Sequence, residues 1–249
     1  MSLSEPMLGT PDPRLWESPL APMPTPFVRA RSRALRELAA QVLPRSVYFA
    51  HGARSARRRR VALTFDDGPD SMTGAYLDVL ADLDVKATFF LIGEQLAHDP
   101  DFALEYLRRG HEVGGHGWTH EAFPPMSHAR LGDELARMDA ILPSPRGHRP
   151  LVRPPRGILT PRALLRLAAA GYITVLWSLD SDDCRTRDPH MIERRVHPSR
   201  VAPGDVVLLH EMQSWTLKAL PAVVSSLRDA GYELVTVSEL MKGDDHERS

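Results

Sequence analysis

The chain has 249 residues, 43% of them apolar and 25% charged, with a formal net charge of −1. That length allows one large core or two small ones, and so even a charge balance argues against a whole-surface nucleic-acid binder. The single cysteine, Cys184, excludes an internal disulfide framework and a multi-cysteine metal cluster, and no apolar run approaches the ~20 residues of a membrane span.

The opening Met1-Ser2-Leu3-Ser4-Glu5-Pro6 lacks a basic stretch followed by an apolar one, so a cytoplasmic location is expected. Residues 1–27 are Pro-rich without periodicity and read as an extended arm. Residues 28–42 set Val28, Leu35, Leu38 and Val42 among Arg29, Arg31, Arg33 and Arg36, the pattern of a basic amphipathic helix. Arg57-Arg58-Arg59-Arg60 follows, and between Arg29 and Arg60 Glu37 is the only acid. The plain reading is a solvated linker with a packing helix. The functional reading is an anionic partner for residues 29–60, whether phospholipid surface, nucleic acid or anionic glycan, with peripheral contact with an anionic membrane favoured. No nucleic-acid partner is expected.

From residue 61 onward, apolar runs alternate with helical periodicity. Strands are predicted at Val61–Phe65, Ala87–Ile92, His111–Gly115, Leu151–Arg153, Ile173–Leu179, Val206–Leu209 and Leu234–Val237. Helices are predicted over 73–83, 100–109, 127–141, 160–170, 188–196 and 216–229, several stopping at a glycine. Seven strands alternating with helices imply a parallel sheet. Chemistry-bearing residues at many strand ends favour its closure into a distorted (β/α)7-type barrel. The expected organisation is an arm over 1–60, a catalytic domain over 61–243 and a disordered tail over 244–249.

Five segments carry chemistry. Asp66 and Asp67 end the first apolar strand at a Gly68-Pro69 turn, and two adjacent acids there are costly unless they meet a cation or a proton. His116 and His120 share a side if 116–120 is one helical turn, and neutral imidazoles so placed grip a divalent ion. Arg153 precedes Pro154-Pro155, whose stiff backbone can aim it at a carboxylate. Asp180, Asp182 and Asp183 follow an apolar strand, and His210 ends another, where an acid partner would make it a general acid. Each has an ordinary reading when taken alone, as a solvated turn, a surface pair or a rim histidine.

In this order, Thr64-Phe65-Asp66-Asp67-Gly68, His116-x3-His120, Arg153-Pro154-Pro155-Arg156-Gly157, Asp180-x-x-Asp183 and Leu208-Leu209-His210 resemble the polysaccharide deacetylase family, the NodB-homology domain of metal-dependent carbohydrate esterases. The resemblance spans roughly residues 61–241. It implies a distorted barrel, with Asp66 as general base and Asp67, His116 and His120 as metal ligands. Arg153 would orient Asp66, His210 would be the general acid, and Asp183 would tune it. The Arg156 N–H would help hold the oxyanion, with Leu208 and Trp215 near the acyl pocket. The implied ion is zinc by default, with cobalt, nickel or manganese compatible. The implied reaction is removal of an N-acetyl group from an oligo- or polysaccharide, which a lipid anchor would not preclude. The alternatives are an O-acetyl esterase, a non-sugar amidohydrolase, or a catalytically silent glycan-binding barrel. Three positions depart from the family pattern. Gly117 stands where Ser or Thr is common, Cys184 where Trp is common, and the basic Arg156 where an aromatic residue is common.

Overall fold

The computed structural model describes residues 47–48, 59–143 and 149–246. The expected Pro-rich arm (1–27), the basic helix (28–42) and Arg57-Arg58 lie outside the described residues. Within them the strands are β1 (Val47–Tyr48), β2 (Arg60–Gly68), β3 (Thr88–Leu91), β4 (Glu112–Gly115), β5 (Leu151–Val152), β6 (Ile173–Val175), β7 (Leu179–Asp180), β8 (Val206–His210) and β9 (Glu233–Val235). They form one sheet in the order β1-β6-β5-β4-β3-β2-β8-β7, with β9 added to β2 and every pair parallel.

The apolar run Ile173–Leu179, expected to be one strand, is two. Only Leu176–Ser178 separate β6 from β7, yet β6 pairs beside the β1 edge and β7 is the opposite edge. Four Cα steps reach about 14 Å at most. The sheet has therefore curled until its edges approach, which makes it a distorted parallel (β/α) barrel. β1 falls within the stretch read as an arm and pairs with Thr174 and Val175 of β6. Arg59 and Arg60 are also engaged by the domain. The Arg59 guanidinium sits 4.3 Å over the Tyr232 ring, and Arg60 pairs with Glu233 at 2.9 Å.

The longer helices follow the predicted periodicity at Thr73–Asp82, Phe102–Arg108, His128–Ile141, Pro161–Ala169, Pro189–Arg195 and Ser214–Asp229. Their starts have local causes. The Ser127 hydroxyl accepts from Arg130 N–H, Thr160 from Ala163 N–H and the Asp188 carboxylate from His190 N–H, while Pro161 and Pro189 occupy first-turn positions that need no donor. The final helix, Val237–His246, runs into the stretch expected to be a tail. None of the described helices is long and apolar enough to cross a membrane.

Strand alternation sorts the side chains into two layers. Val61, Leu63 and Phe65 of β2, Phe89 and Leu91 of β3, and Val207 and Leu209 of β8 face outward into the main core with Tyr76, Leu77, Leu80, Leu220 and Val224. Phe65 stacks on Phe89 at 5.0 Å, and Tyr106 tilts against Phe89 at 4.8 Å. Removing a ring such as Phe65 would cost about 3–5 kcal/mol. Ala62, Phe90, Val206 and Val175 belong to the inner cluster. The inner column of β2 runs Ala62, Thr64, Asp66, and that of β8 runs Val206, Leu208, His210. Both turn from apolar to chemically active toward the carboxyl ends, where the site lies.

Candidate active site

A regular strand would send Asp66 and Asp67 to opposite faces. The β2–β3 register slips between Asp66 and Gly68, and Asp67 takes a φ of 74°. This bulge turns both acids to the same side, the usual result of an extra residue in one strand. Gly68 follows because nothing larger fits. A Cβ there would stand 1.8 Å from Glu211 Oε2.

The two acids then meet different partners. Asp66 Oδ1 accepts from Arg153 Nη1 at 2.7 Å, and the same Nη1 reaches Thr64 Oγ1 at 2.8 Å. Arg153 is fully buried, with its guanidinium 4.1 Å over Phe90 and 5.7 Å from the Trp177 ring. Asp67 has no such cation. Its Oδ1 is buried without a hydrogen-bond donor, although His120 Nε2 lies 3.2 Å and His116 Nε2 3.5 Å away. His116 Nδ1 faces the Arg153 carbonyl at 2.8 Å. A carbonyl only accepts, so the His116 proton sits on Nδ1 and the lone pair is on Nε2, which lies between Asp67 Oδ1 at 3.5 Å and Asp66 Oδ2 at 3.6 Å.

The two histidines do not converge through a helical turn. Residues 116–120 form an irregular loop in which Gly117 has φ 82° and His120 φ 60°. The rings meet at 5.1 Å because the chain doubles back. Burial lowers the His120 pKa, the Asp67 carboxylate partly restores it, and His116 and Arg156 lower it further, which favours the neutral ring. Burial opposes the Asp67 carboxylate, but the facing rings of His210, His120 and His116 bring its pKa below the usual value. One ligand atom from each of Asp67, His116 and His120 lies within 4.8 Å of the others. An orphaned carboxylate oxygen beside two imidazole nitrogens is a donor set that fits a single divalent ion with open positions.

His210 ends β8 directly in register with Asp66. Its Nδ1 lies 2.7 Å from Asp183 Oδ1, and its backbone N–H donates to Asp183 Oδ2 at 2.8 Å. Thr216 Oγ1 and Cys184 N–H also donate to that carboxylate. Burial opposes a charged His210, but the Cys184 sulfur and the Asp183 carboxylate hold its pKa well above the usual value. Burial itself pushes the Cys184 thiol up, so near neutrality the carboxylate is the charge present. Cys184 thus groups with Asp183 and His210 and not with the ligand set of Asp67.

The remaining expected residues lie around this centre. Arg156 is exposed on the short turn Pro155–Gly157 with φ 58°. Leu208 is buried in the β8 inner column beneath His210. Trp215 donates its Nε1 to the Asp183 carbonyl at 2.8 Å, which steadies the acidic loop. Asp180 accepts from Asp182 N–H, and Asp182 pairs with Arg185 and Arg195, so these two acids brace the loop.

The motif-based reading missed four contributors. Thr64 shares Arg153, and Thr216 shares Asp183. Glu211 is a buried acid under the Gly68 turn, bonded to Thr73 and Tyr106. Glu134 holds the histidine loop. The last two carried a weak signal, an acid at a position that periodicity assigns to an apolar face or a strand end.

Parallel strands that raise paired acids and histidines at their carboxyl ends define an α/β barrel with a donor set that could hold a metal ion. The polysaccharide deacetylase family matches over residues 53–175, and the chain belongs to that family. It is 31% identical over 200 residues to the peptidoglycan-N-acetylglucosamine deacetylase PgdA of Listeria monocytogenes, which covers 80% of this chain but 42% of that protein. The chain thus spans less than half the length of that relative. It is 34% identical over 187 residues to a Bacillus cereus peptidoglycan-N-acetylglucosamine deacetylase, covering 73% of this chain and 88% of that protein. The solved structure of the peptidoglycan deacetylase PdaC from Bacillus subtilis superposes with a TM-score of 0.69 at 30% identity, covering 78% of this chain and 95% of that one.

Proposed function

We propose that this chain is a metal-dependent hydrolase that removes the N-acetyl group from an N-acetylated sugar within an oligo- or polysaccharide. The observation that carries this reading is the split of two adjacent acids, with Asp66 closed on Arg153 and Asp67 left open between two imidazoles. The relatives named as peptidoglycan deacetylases support it and suggest a glycan of that class.

Asp67, His116 and His120 would hold the ion, with zinc the default for two nitrogens and one oxygen. When bound there, the cation supplies Lewis-acid polarisation of the acetamide carbonyl and acidifies water. Asp66, oriented by the Arg153 hydrogen bond, takes the proton of the attacking water. The Arg156 N–H, presented by its left-handed turn, is assigned to the developing oxyanion. His210, kept protonated by Asp183, gives its proton to the departing amine, which otherwise leaves poorly. Leu208 and Trp215 are assigned to the wall of the acyl pocket, and the exposed Arg156 side chain suits an anionic substituent on the sugar.

Two adjacent acids divide base and ligand roles because their surroundings differ. The test is acetate release from N-acetylglucosamine oligomers and from peptidoglycan, before and after chelation and with zinc restored. Release that chelation abolishes and zinc restores supports the reading, and release only from O-acetylated glycans sinks it. Cell fractionation distinguishes a cytoplasmic location from the wall-facing one that a peptidoglycan substrate requires.

A further inference from the structure

We propose that Glu134, a residue outside the five motifs, positions the histidine loop and thereby sets the affinity of the metal site. The inference rests on the reading of Asp67, His116 and His120 as ligands. The loop leaves β4 and must turn back within five residues, and His120 ends in a left-handed conformation that a side chain disfavours. Such a backbone persists only where its surroundings over-determine it.

The bonds of the loop show what does so. His116 N–H donates to the Leu91 carbonyl at 2.8 Å. The carbonyls of Gly117 and Trp118 accept from Gly93 and Glu94 N–H at 3.0 and 2.9 Å. On the other side, Trp118 and Thr119 N–H donate to Glu134 Oε2 at 2.8 and 3.2 Å, and Thr119 Oγ1 donates to Oε1 at 3.0 Å. The residue just before His120 is therefore held by two bonds to one carboxylate.

Glu134 is 5% exposed and sits among Leu131, Leu135 and Met138 on the buried face of its helix. A carboxylate there is costly without partners, and every partner it has belongs to the histidine loop. The helix would pack as well with an apolar residue. Gly117 offers no side chain to brace the loop from within, and a Cβ there would come within 3.3 Å of Phe123 and Pro155. The brace therefore comes from outside, through Thr119 and Glu134.

The experiment is zinc titration of the full chain against a chromophoric chelator, with thermal unfolding in parallel. Glu134→Leu should raise the zinc Kd about 10-fold or more, the effect of losing an outer-shell partner. Glu134→Gln should stay near wild type, since its oxygen can accept both N–H groups while its amide donates to Thr119 Oγ1. Tyr172→Phe removes a hydroxyl bonded to Asp139 of the same helix and should lower Tm without moving the zinc Kd. Thr119→Val, which removes one of the three bonds, should weaken zinc by a smaller factor and serves if Glu134→Leu fails to fold. A folded Glu134→Leu or Thr119→Val with wild-type zinc affinity overturns the proposal, as does a Tyr172→Phe that weakens zinc equally. A wild-type chain whose zinc affinity is unchanged by His120→Ala overturns the ligand reading itself.

Discussion

Arg153 Nη1 lies 2.7 Å from Asp66 Oδ1, with Arg153 fully buried and Asp66 nearly so. Each buried charge offsets the other, and removing one partner of such a pair costs about 3–5 kcal/mol. Arg153→Leu should therefore destabilise the fold by about that amount and abolish turnover, as measured by denaturant unfolding and acetate release. Arg153→Lys should fold better than Arg153→Leu and still turn over poorly, because an ammonium has neither the plane that stacks over Phe90 nor the Nε–H that donates to the Val175 carbonyl and aims Nη1 at Asp66.

The adjacent acid predicts a different split. Asp66→Asn should lower turnover by about 10²–10⁴-fold, the usual contribution of a general base, while the chain still binds zinc. His120→Ala should lose the ion, leaving Asp67 Oδ1 with one imidazole. Metal analysis after dialysis, beside initial rates, separates the two. An Asp66→Asn protein with the wild-type rate would remove Asp66 as base.

His210 offers a test by pH. Its pKa is held above the ordinary 6.5 although burial opposes it, with Asp183 the anion present near neutrality. A raised histidine contributes stability that is full below about pH 6.5 and is lost as pH rises through the folded value. Asp183→Asn should bring the His210 pKa down, and the alkaline limb of the rate profile should move to lower pH with it. Imidazole NMR titration of the metal-free protein follows the same shift directly.

Glu211 predicts the opposite kind of group. Burial raises its carboxyl from 4.5 to about 8, with Thr73 and Tyr106 bonding it beneath the Gly68 turn. Between those values the folded chain holds a proton that the unfolded chain has released. Stability from this site is thus full below about pH 4.5 and falls by about 1.4 kcal/mol per pH unit until about pH 8. Glu211→Gln should remove that slope and gain most over wild type at pH 8, as read from unfolding free energies at pH 5 and pH 8.

Much of this was legible before any coordinates. Alternation of apolar runs with helical periodicity places six of the seven predicted strands as single strands, because strands of a parallel sheet buried on both faces must be largely apolar. The division of Ile173–Leu179 into β6 and β7 was not legible, since a continuous apolar run looks the same whether or not it crosses between sheet edges. The two histidines illustrate the same limit. Their spacing suggested a helical turn, whereas a loop with φ 82° at Gly117 and 60° at His120 brings them together. Nothing local to positions 116–120 dictates that path. It depends on Gly93 and Glu94 from one side and Glu134 from the other.

The sequence by itself determined the alternating architecture, the strand-end location of the chemistry and which side chains were available to perform it. These follow from local periodicity and from the cost of placing acids and imidazoles at the ends of apolar strands. Only the tertiary structure decided which acid meets which partner. Asp66 and Asp67 are neighbours in one motif, and their separation depends on a bulge whose register is set by β3, a buried Arg153 87 residues away and histidines from the loop after β4. Those contacts are long-range, so no pattern within either motif encodes them.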